Sequence, residues 1–222
     1  MNAHSKATLR RRSGRPSSEV ARNLPELLLD AAEPLFLAQG YGATTVEQVA
    51  QNVGATKRTI YAKFGDKAGL FAAVTRRLVD RHRGWLAEAT LGETVDERLR
   101  SFGLRLLMEA GEADVLALYR VMMGEVHRFP ELARLVAEFA STGARRALAA
   151  LLSREAAAGT LFVADAEVAA EFLVGMILHA RLRGAMLGQK TAAEADAKLW
   201  VQAAVALFLD GCRAPPGPRR VA

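Results

Sequence analysis

The sequence predicts an all-α protein. Apolar residues recur at helical spacing through most of the 222-residue chain, and no stretch shows the sustained alternation of a half-buried strand. Between residues 44 and 64, two short helical segments flank a glycine-containing turn, VGA. Two short helices joined in this way form a helix-turn-helix. The pattern therefore predicts a helix-turn-helix domain followed by a longer helical part.

The composition fits a globular chain of one or two domains, because 51% of the residues are hydrophobic. The single cysteine, Cys212, excludes an internal disulfide and suits a reducing cytoplasm. The N-terminus has no apolar segment of the kind found in signal peptides. The longest apolar runs, FLVGMILHA and WVQAAVALFL, are about half of the roughly 20 residues that a membrane span needs. We therefore expect a cytoplasmic protein with no membrane contact.

The first 21 residues form a predicted flexible basic arm. Residues 1–22 contain six basic residues against Glu19 alone, so most of the net charge of +6 lies at this end. Such an arm is typical of nucleic-acid binding, with Arg12 and Arg15 as candidate contacts in the minor groove. The alternative is a disordered, solubilising tail, and the arm alone does not distinguish the two.

The first helix is predicted to begin at Leu24, with Asn23 as its N-cap, and to end at the sequence QGYG. Pro25 then lies in the first turn, where proline is tolerated. Pro34 removes one backbone hydrogen bond near Asp30 and predicts a kink. The apolar residues at helical spacing are Leu24, Leu27, Leu28, Ala31 and Leu35.

The next helices have N-caps that are visible in the sequence. Thr44 or Thr45 can form a capping box, because each has an acidic or amide residue three positions later. Thr56 is the predicted N-cap of the second short helix, and Asp66 that of the longer helix after it. The residues predicted to pack inward, against Leu35 and Phe36 of the first helix, are Val46, Val49, Ala50, Val53, Ile60 and Phe64.

The outer side of the second short helix combines positive charge, hydroxyl groups and an aromatic ring. In this motif the N-terminal end of that helix reaches base edges in the major groove, where arginine and lysine suit guanine and threonine methyls suit thymine. Tyr61 and Lys63 suit phosphates, as does the helix N-terminus at Thr45. The predicted DNA contacts are Arg12, Arg15, Thr45, Thr56, Lys57, Arg58, Thr59, Tyr61, Lys63 and Lys67. The alternative is an ordinary helical hairpin with a solvated basic face.

Residues 27–71, LLLDAAEPLFLAQGYGATTVEQVAQNVGATKRTIYAKFGDKAGLF, resemble the DNA-binding domain of the TetR family of bacterial repressors. The matching features are GYGATTV, the VA…GATK turn, and IYAKF followed by DK and LF. The chain departs from the family pattern at Pro34 and at Ala68-Gly69, where members usually carry an acidic residue and alanine. We expect the second departure to weaken the start of the fourth helix.

Part of the second half resembles the C-terminal domain of AefR-like TetR regulators. The resemblance covers residues 118–152, with the element HRFPEL, and residues 171–188. It implies a homodimer, with three N-terminal helices for DNA and a C-terminal six-helix bundle for effector binding and dimer contact. The predicted organisation is a flexible basic arm (1–21), a helix-turn-helix domain (22–66), an effector-binding and dimerisation domain (67–212) and a disordered tail (213–222).

The helices of this second part are predicted at 66–90, 94–110, 113–128, 131–158, 165–187 and 191–211. The last two are apolar nearly all round, and such helices require burial on every side. Pairing with a second copy would bury them and would place two recognition helices about 34–36 Å apart on a palindromic site. The predicted dimer residues are Phe172, Gly175, Met176, Leu199, Ala203, Leu207 and Phe208. The alternative is that both helices form the core of a monomeric bundle.

The candidate effector-binding residues are Tyr119, Met122, Met123, His127, Met176 and His179. Methionine adapts to irregular ligands, although residues of these types are also common core fillers. We predict no metal site, because the histidines lack i, i+4 spacing and cysteine ligands are absent. The sequence contains no Gly-rich phosphate loop, HExxH motif or nucleophile elbow, so we expect neither a cofactor nor an enzyme.

Two functional hypotheses follow. The first is a ligand-responsive transcriptional regulator, a repressor by the family resemblance, that binds a palindromic double-stranded operator as a homodimer. A small-molecule effector would release it from the DNA. The second is an architectural or cell-division DNA-binding protein without an effector, which would have a filled C-terminal core.

Overall fold

The computed structural model describes residues 18–87, 92–135, 143–189 and 194–212. These residues are largely helical and contain no strand, as predicted. The predicted tail lies outside them, as does the basic arm up to residue 17. A 3₁₀ turn, Gly84–Ala87, follows α4, and residues 132–135 are also helical. The α-helices are α1 (Ser18–Ala43), α2 (Val46–Asn52), α3 (Lys57–Phe64), α4 (Lys67–Arg81), α5 (Val95–Ala110), α6 (Ala113–Glu125), α7 (Gly143–Ala157), α8 (Ala166–Met186) and α9 (Glu194–Cys212).

The first helix begins earlier than predicted, at Ser18, so Asn23 is an interior residue and not an N-cap. The preceding segment SEVAR supports this, because glutamate, alanine and arginine favour helix and no glycine or proline interrupts them. The backbone of α1 keeps helical dihedral angles through Pro34. Its non-helical residue is Gly40, with φ 86° and ψ 170°, at the predicted end of the helix.

Three of the later helices differ from the predicted spans. The fourth helix ends at Arg81 and not at residue 90, because His82 leaves helical geometry with φ −90° and ψ 5°. The sixth ends at Glu125, three residues before the predicted limit. In place of one helix over 131–158, residues 132–135 and 143–157 are helical, and the residues between them lie outside the described part of the chain.

The N-terminal helices share one hydrophobic core with α6. Leu28 and Phe36 of α1, Val49 of α2, Ile60 of α3 and Phe71 of α4 are fully buried in it. The residues that α6 adds are Leu118, Val121 and Met122. The domain boundary predicted after residue 66 therefore falls between α3 and α4, although α4 shares a hydrophobic core with α1, α2 and α3.

A second core joins α5, α7, α8 and α9. Its fully buried members include Phe102 of α5, Leu148 of α7, Leu173 of α8 and Val205 of α9. Trp85, from the 3₁₀ turn after α4, packs against Phe102 with ring centroids 5.5 Å apart. Among the described residues, no helix has both the length and the apolar character that a membrane span requires.

The turn between α3 and α4 depends on two glycines. Gly65 has a φ of 83°, a conformation that L side chains rarely adopt. Asp66 caps α4 as predicted, because its carboxylate accepts a hydrogen bond from the N–H of Gly69 at 2.7 Å. A Cβ atom at Gly69 would overlap the carbonyl oxygen of Phe64. Gly69 therefore permits the close approach of α3 to the first turn of α4.

Candidate DNA-binding interface and effector cavity

The two helices of the helix-turn-helix are fixed by side-chain caps. Thr45 forms the capping box of α2 with Gln48, which is one of the two predicted arrangements. Thr44 is fully buried, and its hydroxyl donates to the carbonyl of Gly40 at 2.9 Å. Thr56 caps α3 by accepting a hydrogen bond from the N–H of Thr59 at 3.3 Å. These contacts satisfy backbone N–H groups at the N-termini of α2 and α3.

The face of α3 opposite the core carries most of the predicted DNA contacts. Ile60 is fully buried on the inner side, and Phe64 packs partly against the same core. The predicted contacts that are exposed are Thr45, Thr56, Lys57, Arg58, Tyr61 and Lys63, with Thr59 partly exposed. Tyr61 is 45% exposed although it is aromatic. The sequence thus gives α3 an apolar inner side and a basic outer side, as predicted.

Lys57 forms an ion pair on this surface that the sequence analysis did not include. Its Nζ lies 3.1 Å from Oε1 of Glu47 on α2. The hydrogen bond raises the pKa of Lys57 and lowers the pKa of Glu47. Glu47 therefore places a negative charge beside a predicted base contact.

Lys67, at the start of α4, contacts the end of α1. Its Nζ donates to the carbonyl oxygen of Gly42 at 3.2 Å and lies 4.5 Å from the centre of the Tyr41 ring. Burial of the ammonium group lowers the pKa of Lys67. Lys67 thus joins α4 to the end of α1, and its role as a DNA contact stays a prediction. The predicted contacts Arg12 and Arg15 lie outside the described residues.

A cavity of about 520 Å³ opens between α4, α5, α6, α7 and α8. This volume is within the range of small-molecule sites, roughly 300–1,000 Å³. Most of its wall is apolar, and Trp85 and Tyr119 contribute aromatic rings. The other apolar wall residues are Leu78, Val79, Leu86, Leu106, Ala110, Val115, Met122, Met123, Ala144, Val174, Leu178, Leu182 and Met186.

Four of the six predicted effector residues line this cavity, namely Tyr119, Met122, Met123 and His179. The other two do not. His127 is exposed because it follows the end of α6 at Glu125. Met176 packs against the second core instead.

Apart from His179, the polar side chains of the cavity wall were not among the predicted effector residues. These polar residues are His82, Arg83, Glu109, Arg145, Glu171 and Arg183. Gly175 also lines the cavity. Arg145 donates to Glu167 at 2.7 Å, which joins α7 to α8 at the rim. The polar residues come from three helices and from the turn after α4, so no local sequence motif could have indicated them.

Both ring nitrogens of His82, in the cavity wall, lie within hydrogen-bond distance of a carboxylate. Its Nδ1 lies 3.0 Å from Oε2 of Glu109 on α5, and its Nε2 lies 3.1 Å from Oδ2 of Asp114 on α6. Burial alone would lower the pKa of His82, but the two carboxylates outweigh it and raise the pKa above its ordinary value. The described residues contain no group of three side chains suited to hold a metal ion.

The predicted dimer residues divide into an exposed set and a buried one. Phe172 on α8, with Leu199 and Leu207 on α9, are each about two thirds exposed, and Ala203 and Gly175 are exposed as well. Phe208 is only 8% exposed because it belongs to the second core of its own chain. Met176 is half-buried in the same core. Phe208 is therefore a core residue, which corrects its prediction as a dimer contact.

Comparison with known families agrees with this architecture. Residues 28–74 match the family described as bacterial regulatory proteins, tetR family. Residues 97–212, more than half of the chain, match the C-terminal domain of AefR-like transcriptional repressors. The chain belongs to the TetR family of bacterial transcriptional regulators. Both the family and the AefR-like branch were predicted from the sequence.

Curated TetR-family relatives resemble parts of the chain. The repressor BdcR of Escherichia coli K12 is 33% identical over 110 residues, which are 47% of this chain and 54% of BdcR. The E. coli repressor ComR is 45% identical over 53 residues, which are 24% of this chain and 25% of ComR. The matches thus span about half of one of these relatives and a quarter of the other. The relatives are transcriptional regulators, in agreement with the prediction of a protein that is not an enzyme.

Solved structures match most of the chain. A Mesorhizobium loti protein assigned to the TetR family of transcriptional regulators superposes with a TM-score of 0.75 at 24% identity, covering 89% of this chain and all of that one. The flavonoid-responsive regulator FrrA superposes with a TM-score of 0.73 at 28% identity, covering 88% of this chain and all of FrrA. These matches confirm the all-α TetR-family fold.

Proposed function

We propose that this TetR-family protein is a transcriptional repressor that binds a palindromic operator as a homodimer and is released by a small molecule in the cavity. The observation that carries the proposal is that Leu78 and Met122 belong both to the cavity wall and to the core that holds α1 to α4. Protein interiors are close-packed, so a ligand that displaces these residues also affects the packing of the DNA-binding helices.

The basic face of α3 supports the DNA-binding part. Lys57 and Arg58 lie at the N-terminal end of α3, which is the part of a recognition helix that contacts bases in the major groove. Tyr61 and Lys63 lie further along the same exposed face, where contacts to phosphates position the helix. The arm residues Arg12 and Arg15 complete the proposed set.

The chemistry of the cavity supports an amphipathic, aromatic effector. Trp85 and Tyr119 offer rings for stacking, and Met122 and Met123 adapt to an irregular outline. His82 and Glu109 supply hydrogen-bonding groups at one end of the cavity. Because FrrA is named as flavonoid-responsive, we propose hydroxylated flavonoids as the first compounds to test. Such a ligand releases the DNA only if it binds the DNA-incompetent arrangement more tightly.

The exposed apolar side of α8 and α9 supports the homodimer. Leu199, Ala203 and Leu207 form an exposed stripe at helical spacing on α9, and Phe172 is an exposed apolar residue on α8. Contiguous apolar surface of this kind marks protein–protein interfaces. We therefore propose this face as the dimer contact, in a protein that acts in the cytoplasm, where its operator DNA would be.

The testing experiment is a selection of genomic DNA fragments with the purified protein. The double variant Lys57→Ala/Arg58→Ala is run beside it. A matched control, Arg146→Ala/Arg154→Ala, removes the same charge from exposed positions of α7. We expect the wild type and the control to enrich one palindrome that the first variant does not enrich. Equal recovery of all fragments by all three proteins would contradict the proposal.

The selected fragment then serves for a release assay with hydroxylated flavonoids and other phenolic compounds. A compound that releases the wild-type protein should fail to release a variant with a blocked cavity, Met123→Trp. The architectural alternative predicted a filled C-terminal core, and the cavity of about 520 Å³ argues against it. Undiminished operator binding with every compound would favour that alternative again.

A further inference from the structure

A series of hydrogen-bonded charged side chains leads from the cavity to α1. It begins at His82, which lines the cavity beside Glu109. On its other side His82 contacts Oδ2 of Asp114, which is not part of the cavity wall. Arg81 donates to the same Oδ2 atom at 3.3 Å. The Oδ2 atom of Asp114 thus joins His82, in the cavity wall, to Arg81, which does not line the cavity.

Arg81 extends the series to the DNA-binding helices. Its guanidinium donates to both carboxylate oxygens of Glu33 on α1, each at 3.0 Å. Bidentate pairs of this kind are among the stronger hydrogen bonds in proteins. Arg77 donates to Glu33 at 2.8 Å and to Asp30 at 2.6 Å. We refer to His82, Asp114, Arg81 and Glu33 as the charge chain.

We propose that His82 is the residue through which an occupant of the cavity acts on α1. The inference deepens the proposed function and rests on it, because that proposal gives the cavity a small-molecule effector. Of the four residues in the charge chain, His82 is the one that lines the cavity. An occupant that places a hydrogen-bond acceptor at His82 competes there with the carboxylates of Glu109 and Asp114.

The consequence reaches α1 through the contacts behind the cavity wall. When His82 turns towards the occupant, Asp114 loses one of the two side chains that contact its Oδ2 atom. Asp114 and Arg81 then readjust, and so does the bidentate pair of Arg81 with Glu33. Glu33 lies on α1, which shares a hydrophobic core with α2 and α3 of the helix-turn-helix. This readjustment therefore alters the position or the mobility of the DNA-binding domain.

The experiment compares three variants by hydrogen–deuterium exchange of the full-length protein without ligand. His82→Gln removes the bridge at the cavity wall, and Asp114→Asn removes the charge behind it. The matched control His127→Gln makes the same chemical change at an exposed histidine outside the cavity wall. The readout is the exchange rate of α1 amides between Asp30 and Leu37, divided by that of α7 amides in the second core. This ratio separates a local effect on α1 from a general loss of stability.

We expect faster exchange in α1, by roughly 3- to 10-fold, in both His82→Gln and Asp114→Asn, and wild-type exchange in the control. Wild-type exchange in either of the first two variants would overturn the inference, and so would equal acceleration in the control. Operator affinity is measured in parallel, where the double variant His82→Gln/Asp114→Asn should show no larger change than either of its single variants. Additive changes would count against the chain. If the wild type binds no operator, the proposed function fails, while α1 exchange still decides whether the charge chain exists.

Discussion

The carboxylate of Glu125, at the end of α6, accepts a hydrogen bond from the backbone N–H of Gly42 at 2.9 Å. The contact joins the end of α6, a helix that contributes to the cavity wall, to the segment GYG at the end of α1. Tyr41, between the two glycines, packs against Phe129 with ring centroids 4.8 Å apart and donates to Glu131 at 3.2 Å. The N-terminal domain is thus attached to α6 and to the residues that follow it by polar and aromatic contacts.

Gly40→Ala should destabilise the protein by about 1–2 kcal/mol, because L residues at this left-handed φ are strained. The new Cβ would also lie 2.6 Å from the carboxylate oxygen of Glu125 that binds Gly42. The control Gly124→Ala adds a methyl group to an open position of α6, where alanine should stabilise the helix by roughly 0.5–1 kcal/mol. Urea unfolding measures both changes. Similar midpoints for the two variants would contradict the role assigned to Gly40.

Lys63→Ala should weaken binding to all DNA sequences alike, because we propose a phosphate contact for this residue. The slope of log K against log salt should decrease by about one unit. Arg146→Ala, an exposed arginine of α7, should leave the slope at the wild-type value. Fluorescence anisotropy on specific and random duplexes at several salt concentrations measures it. An unchanged slope in Lys63→Ala removes this residue from the phosphate contacts.

Glu47→Gln should strengthen operator binding by roughly 2- to 5-fold, because the ion pair of Glu47 with Lys57 competes with DNA for Lys57. Exposed ion pairs contribute up to about 1 kcal/mol. The substitution also removes a negative charge from the surface that faces the phosphates. The same substitution combined with Lys57→Ala should give a smaller gain. If Glu47→Gln bound the operator more weakly, the ion pair would instead position Lys57 for base contact.

The stability of the protein should depend on the protonation of His82. Because its pKa is raised in the folded state, this contribution is complete below the unfolded value near 6.5 and is lost as the pH rises through the folded value. The groups in contact with His82 are the carboxylates of Glu109 and Asp114. Burial alone would raise the pKa of Asp114, but its hydrogen bond to His82 outweighs burial and lowers it.

Urea unfolding of the wild type and of His82→Gln at pH 6 and pH 8.5 tests this dependence. The stability difference between the two proteins should be larger at pH 6. Asp114→Asn should reduce the pH dependence, because it removes one of the carboxylates that raise the pKa. An equal difference at both pH values would show that the protonation of His82 contributes nothing to folding.

The sequence could predict the helix-turn-helix closely because its determinants are local. Thr45, Thr56 and Asp66 each cap a helix through a backbone N–H three residues away. The alternation of inward and outward residues on α3 follows directly from the helical period. The family resemblance rests on the same short stretch of sequence.

The cavity and the domain junction could not be predicted, because their contacts join distant parts of the chain. Lys67 turns towards Gly42 and Tyr41 because their carbonyl and ring become accessible only after α1 and α4 have packed. His82 meets Glu109 and Asp114 from two other helices. Phe208 was wrongly predicted to be a dimer contact. Its helix is apolar nearly all round, so the sequence pattern does not show which side packs against the core of its own chain.

The glycine at position 69 has a consequence for exchanging parts between members of the family. Members usually carry alanine there, and in this chain an alanine methyl group would collide with the backbone at the end of α3. A chimera that grafts α1 to α3 of this protein onto the remaining helices of another regulator must therefore include Gly69 in the graft. A junction placed between Phe64 and Gly69 would bring the side chain of the other regulator's residue against the carbonyl oxygen of Phe64, at the end of α3.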